Sequence, residues 1–164
     1  MDEYIGMIQI PRGDGDETET AGRTLIQVAH VVVRLEDRAL SREFGLSYRQ
    51  MRILKHIAAG VTSGTELGRI FGVTAPAISE TLESLFKKDL VTRSPHESDR
   101  RAILLGLTPK GEEMNARAQQ SERRLAHELL EMLSPEEIEH LHELVGKMLI
   151  PNTERLLRQR TSNG

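Results

Sequence analysis

Cysteine is absent from all 164 residues. A disulfide scaffold, a thiolate metal site and a thiol redox switch are therefore excluded. Aromatic residues make only 3% of the chain, and tryptophan is missing. Long apolar runs are lacking too. The longest stretches free of Asp, Glu, Lys and Arg are ten residues, at 24–33, 56–65 and 70–79. A transmembrane helix needs about 18 or more, so no membrane partner is expected. Met1-Asp2-Glu3-Tyr4 offers neither the basic nor the apolar region of a secretory signal, and a soluble, cytoplasmic protein is the expectation. There is no Gly-x-Ser-x-Gly, no phosphate-binding loop, no His-Glu-x-x-His and no dinucleotide fingerprint. Neither an enzyme nor a bound cofactor is expected.

What is present suits one globular domain: apolar residues make 38%, and the 13 glycines bring that to about 46%, an ordinary level. The net charge is −3, but its distribution is uneven. Residues 1–20 carry six acids against Arg12, and the other 144 residues sum to +2. The acidic, glycine-containing stretch 11–22 has no run of core formers and reads as a flexible arm.

Apolar residues at Leu25, Val28, Ala29, Val32, Leu35, Ala39 and Leu40 predict a helix over 24–44, ended by Gly45. Ser47-Tyr48-Arg49-Gln50 fits a capping box opening a helix to about Ala59, with Met51, Leu54, Ile57 and Ala58 inward. Ser63-Gly64-Thr65-Glu66 fits a second box, opening a short helix with Leu67, Ile70 and Phe71 inward. Gly72 stops that helix, and Thr74 is placed to cap the next, Ala75 to about Lys88. On it Ile78, Leu82 and Leu85 fall within about 60° of one another, opposite Pro76, Glu80, Glu83 and Lys87. Two short helices joined by a glycine turn make a helix-turn-helix candidate.

Leu90 to Arg93 and Ala102 to Leu107 then read as strands flanking a charged tip, Pro95 to Arg101. Thr108-Pro109 opens a long helix to about Leu133, and Ser134-Pro135-Glu136-Glu137 opens the last. Ile138, Leu141, Leu144, Val145, Met148 and Leu149 line that last helix, and Pro151 is expected to kink or break it.

This order resembles the MarR family of winged-helix regulators. The resemblance rests on Glu66-Leu67-Gly68, Val73-Thr74-Ala75-Pro76-Ala77-Ile78-Ser79 and Leu85-Phe86-Lys87-Lys88-Asp89-Leu90-Val91-Thr92-Arg93. It continues through Asp99-Arg100-Arg101 and Leu107-Thr108-Pro109-Lys110-Gly111. The family often has glycine where Asp89 sits, at a helix end that favours a left-handed residue, a conformation Asp tolerates.

The fold implied is mainly α with a small β-wing, divided as follows along the chain. A flexible acidic arm spans 1–22, a dimerisation helix 23–45 and the winged helix-turn-helix lobe 46–111. C-terminal dimerisation helices take 112–160, and 161–164 is a tail. The first helix and the last two carry apolar stripes too wide for one small domain to bury, which a homodimer would solve.

Candidate DNA-binding residues are Thr65, Thr74, Ala75, Pro76, Ala77, Ser79, Glu80, Asp99, Arg100 and Arg101. Small side chains from Thr74 to Ser79 would let the helix approach base edges. The resemblance gives Arg101 the minor-groove insertion and Asp99 the task of orienting it. Glu80 and Glu83 lie on the outer face of the presumed recognition helix, which has no arginine. A carboxylate there repels phosphate unless it accepts from a cytosine amino group, and repulsion is the expected effect of Glu80.

The resemblance further implies a repressor on a pseudo-palindromic double-stranded DNA site, released by a small aromatic or anionic effector. Ligand candidates are His30, Tyr48 and Arg52. No metal is expected: His140 and His142 point about 200° apart on one helix, and the chain has no i, i+4 histidine pair. Two alternatives stay open, a winged-helix ligand- or protein-binding module with weak or no operator binding, and a metal-responsive regulator.

Overall fold

The computed structural model describes residues 16–95 and 103–161, with only the helical backbone described for 149–161. It divides into two compact units, Met1–Glu122 and Arg123–Gly164.

The first helix, α1, spans Glu17–Phe44. Asp16 caps it, accepting from the Thr18 N–H at 3.0 Å, and Glu17 and Glu19 occupy its first turn. Carboxylates at a helix N-terminus are favoured by the exposed amides and the dipole. Acidity that reads as disorder in sequence therefore starts a helix. Residues 17–22 are helical rather than part of a flexible arm, and the rest of that arm (1–15) lies outside the described residues. Gly45 closes α1 in the left-handed region, φ 65°, as expected.

Helix α2, Tyr48–Ala58, opens with the expected capping box. Gln50 N–H donates to Ser47 Oγ at 3.2 Å, and Ser47 N–H donates to Gln50 Oε1 at 3.0 Å. Met51, Ile53, Leu54 and Ile57 are buried, whereas Ala58, expected inward, is exposed at the helix end.

Helix α3, Gly64–Phe71, starts after Ser63, but the Ser63 side chain makes no cap bond and the second box does not form. Leu67 and Gly68 take its inner face, and Ile70, expected inward, is 42% exposed. Gly72 (φ 61°) makes the turn into α4, Ala75–Lys87. Thr74 holds the N-cap position with extended backbone, yet its hydroxyl makes no cap bond; its carbonyl accepts from Ile78 N–H at 3.2 Å. Ile78, Leu82 and Leu85 are buried as their spacing predicts.

Two antiparallel strands follow, β1 (Val91–Pro95) and β2 (Ile103–Leu107), in register Val91↔Leu107 through Pro95↔Ile103. Leu105 N–H donates to the Thr62 carbonyl at 2.8 Å, tying the wing to the loop after α2. Helix α5 spans Pro109–Leu130, ending before the expected Leu133. Thr108 caps it: Gly111 N–H donates to Thr108 Oγ1 at 3.0 Å, and that hydroxyl donates to the Asp89 carbonyl at 2.7 Å.

In the second unit, α6 spans Pro135–Thr161 and begins with the expected capping box of Ser134 and Glu137. The helix continues through Pro151 rather than breaking there. Proline's fixed φ is itself helical, so a helix can absorb the loss of one N–H donor.

The core of the first unit gathers Leu40, Leu46, Ile53, Leu54, Leu67, Ile78, Leu85 and Leu90, each at most 2% exposed. Its tightest point is Gly111, where an added Cβ would stand 1.9 Å from the Leu90 carbonyl oxygen, a backbone atom. Gly111→Ala must therefore push α5 away from the wing, and we expect it to cost roughly 3 kcal/mol or more in urea unfolding. A variant within about 0.5 kcal/mol of wild type would show that the joint yields.

Candidate nucleic-acid interface

Polar and small residues around the α3–α4 turn line one open cleft of about 880 Å³. Ser63, Gly64, Thr65, Gly68 and Arg69 form one side, and Thr74, Ala75, Ser79 and Leu82 the other. Ile103 and Leu104 of the wing also line it. Gly64 and Gly68 face Leu82 and Ile78 of α4, with room for no more than a methyl group at ordinary contact distance.

Four expected residues, Thr65, Thr74, Ala75 and Ser79, thus share one surface. Pro76 and Glu80 are exposed on α4 outside this lining, and Ala77 is half-buried. Asp99, Arg100 and Arg101 lie outside the described residues, as does His96.

Arg69 was missed by motif reasoning. Its position four residues after Thr65 puts both on one helix face, which is the signal that could have found it. Its guanidinium stands 3.9 Å from Glu66 with the side chain 81% exposed, a contact too solvated to hold it in place.

The outer face of α4 is less acidic than expected. Glu83 forms an ion pair with Arg93 of β1, and the Arg93 guanidinium lies 3.9 Å from the centre of the Phe86 ring. An arginine does serve this helix, supplied by the wing. Glu80 makes no ion pair among the described residues.

The ligand candidates divide. Arg52 donates to the Tyr48 hydroxyl at 3.1 Å, and Tyr48 N–H donates to Asp37 of α1 at 2.6 Å. His30 is exposed on α1, about 10 Å along the helix axis from Asp37 at 1.5 Å per residue. Beside the pair, burial and then the Glu122 carboxylate raise the Glu36 pKa above its ordinary 4.5, against opposing pulls from Lys55 and Arg52. Lys55 is itself engaged by Glu122 at 2.5 Å.

Among the described residues no group of three or more His, Asp or Glu could hold a metal ion, and no helix is long and apolar enough to cross a membrane.

Residues 44–102 match the MarR family model. Solved structures agree over most of the chain. A mutant MarR from E. coli is 28% identical with TM-score 0.70, covering 78% of this chain and 95% of its own. BldR, a transcriptional regulator from Sulfolobus solfataricus, is 28% identical with TM-score 0.67, covering 84% and 97%. A mutant E. coli MarR complexed with operator DNA is 25% identical with TM-score 0.65, covering 91% and 99%. The expected resemblance holds: this is the helical, two-stranded-wing fold of MarR-family DNA-binding transcription regulators.

The raised Glu36 pKa has a sign that can be checked. Folding favours the neutral acid, so Glu36 costs stability as pH rises through its raised pKa, and costs nothing below the ordinary 4.5. Glu36→Gln should melt above wild type at neutral pH, with the gap closing as pH falls below 4.5. A gap equal at both pH values would remove Glu36 from the pH dependence of stability.

Proposed function

We propose that this chain, whose residues 44–102 carry the MarR-family winged-helix lobe, is a homodimeric DNA-binding repressor of a pseudo-palindromic operator. The observation that carries the reading is the α3–α4 cleft. Small side chains at its rim would let the N-terminal end of α4 approach base edges, and Ser63, Thr65 and Thr74 in the same lining carry hydroxyls that can donate to phosphate oxygens. The operator complex of the E. coli relative supports the same use of this fold.

Dimerisation is supported by apolar surface that has no cover within its own unit. On α1, Leu25, Ile26, Val28, Val33 and Leu35 are between 39% and 58% exposed. On α6, Ile138, Leu141, Leu144 and Met148 are between 38% and 45% exposed. Clusters of exposed large apolar side chains along a helix are what an association surface presents. A two-fold dimer would place its recognition helices in successive major grooves, with half-sites about 34–36 Å apart.

Tyr48 and Arg52 support release by a small aromatic or anionic effector. A hydroxyl and a guanidinium within 3.1 Å of each other can share one carboxylate. His30, exposed on α1, is the third candidate contact.

In this reading the wing inserts Arg101 into the minor groove, with Asp99 orienting it and Arg100 on the backbone. A gel shift on DNA upstream of the protein's own coding region, at fixed salt, tests it. Wild type should bind, and Arg101→Ala should lose about 1–3 kcal/mol of affinity. Equal binding by the two proteins would remove the wing from the interface, and no shift by wild type would favour the operator-blind winged-helix module.

A further inference from the structure

We propose that Arg93 is a positioning residue of the DNA interface: it clasps the Glu83 carboxylate against Phe86 and so takes one negative charge off the DNA side of α4. This rests on the DNA-binding reading above.

Glu83 and Phe86 are three residues apart on α4 and so are neighbours on one helix face. Arg93 reaches them from β1, where it pairs in register with Leu105. Its guanidinium carbon stands 3.9 Å from the centre of the Phe86 ring, while its Nη2 donates to Glu83 Oε1. Stacking and a charge-assisted hydrogen bond then fix the same group from two directions.

The side chains of Arg93 and Glu83 are 47% and 53% exposed, so in the free protein their attraction is weakened by water. Beside a phosphate backbone the balance differs. There an unpaired carboxylate meets a dense array of like charge, and a paired one does not. Because the cation comes from the wing strand, the clasp also ties wing and recognition helix into one rigid reading head. Glu80, without such a partner among the described residues, is left as the carboxylate that α4 presents uncompensated.

The test is a double-mutant cycle read as affinity for a duplex enriched by wild type from a randomised pool. Arg93→Met keeps the apolar stem over Phe86 and removes the charge. It should weaken binding about tenfold, and in a Glu83→Gln background the same change should cost less than about twofold. The dependence of log affinity on log salt should keep its slope. A direct phosphate contact by Arg93 instead predicts equal losses in both backgrounds and a slope smaller by about 0.9; either result overturns the clasp.

Glu83→Gln alone serves where Arg93→Met fails to fold. It should bind within about twofold of wild type, since the charge it removes is already neutralised, and a gain of about fivefold or more overturns the proposal. A wild-type chain that enriches no duplex overturns DNA binding and the clasp with it. Wild-type binding without rescue overturns the clasp alone.

Discussion

At Asp89 the backbone turns left-handed, φ 58°, and within two residues the chain passes from the end of α4 to β1. Leu90 N–H donates back to the Leu85 carbonyl at 3.1 Å, and the Leu90 carbonyl accepts from Thr108 N–H at 3.2 Å. Gly111 packs against that same carbonyl with no room for a side chain. Lys110 caps the Lys88 carbonyl at 2.8 Å, and Lys88 reaches the Gly45 carbonyl at 2.9 Å. These few backbone atoms fix the end of α4, the start of β1 and the first turn of α5 to one another. What each presents outward is set by that joint.

Two consequences follow for recognition. With Ile78, Leu82 and Leu85 buried, α4 turns Ala75, Pro76, Ser79, Glu80, Glu83 and Lys87 outward. With β1 starting one residue after Leu90, Arg93 arrives where it can meet Glu83. The charge on this face of α4 therefore depends on the angle between helix and wing, which α4 alone does not determine.

Local rules made much of this legible. Period-3.6 spacing located the buried face of α4, the Ser47 and Ser134 boxes marked two helix starts, and Thr108-Pro109 marked a third. At Asp89 the left-handed turn was legible only through the resemblance, which places glycine there in the family. Ser63 and Thr74 show the limit of such rules. Each occupies its cap position, but whether a hydroxyl turns toward the amides is settled by its surroundings. The Arg93–Glu83 pair was invisible for a different reason. It joins residues ten apart on different elements, where helical spacing carries no information. Asp16 misled because a capping carboxylate and a disordered acidic run look alike until the dipole is counted.

In the proposed function the exposed apolar faces of α1 and α6 pair two chains, because a single recognition helix would read too few bases to specify a site alone. Sedimentation of the purified chain, first free and then with a duplex carrying two half-sites, tests this most directly. A DNA-reading dimer predicts a free species of twice 18.4 kDa and one such dimer per duplex. A stable monomer of 18.4 kDa, or a chain that never joins the duplex, would contradict it.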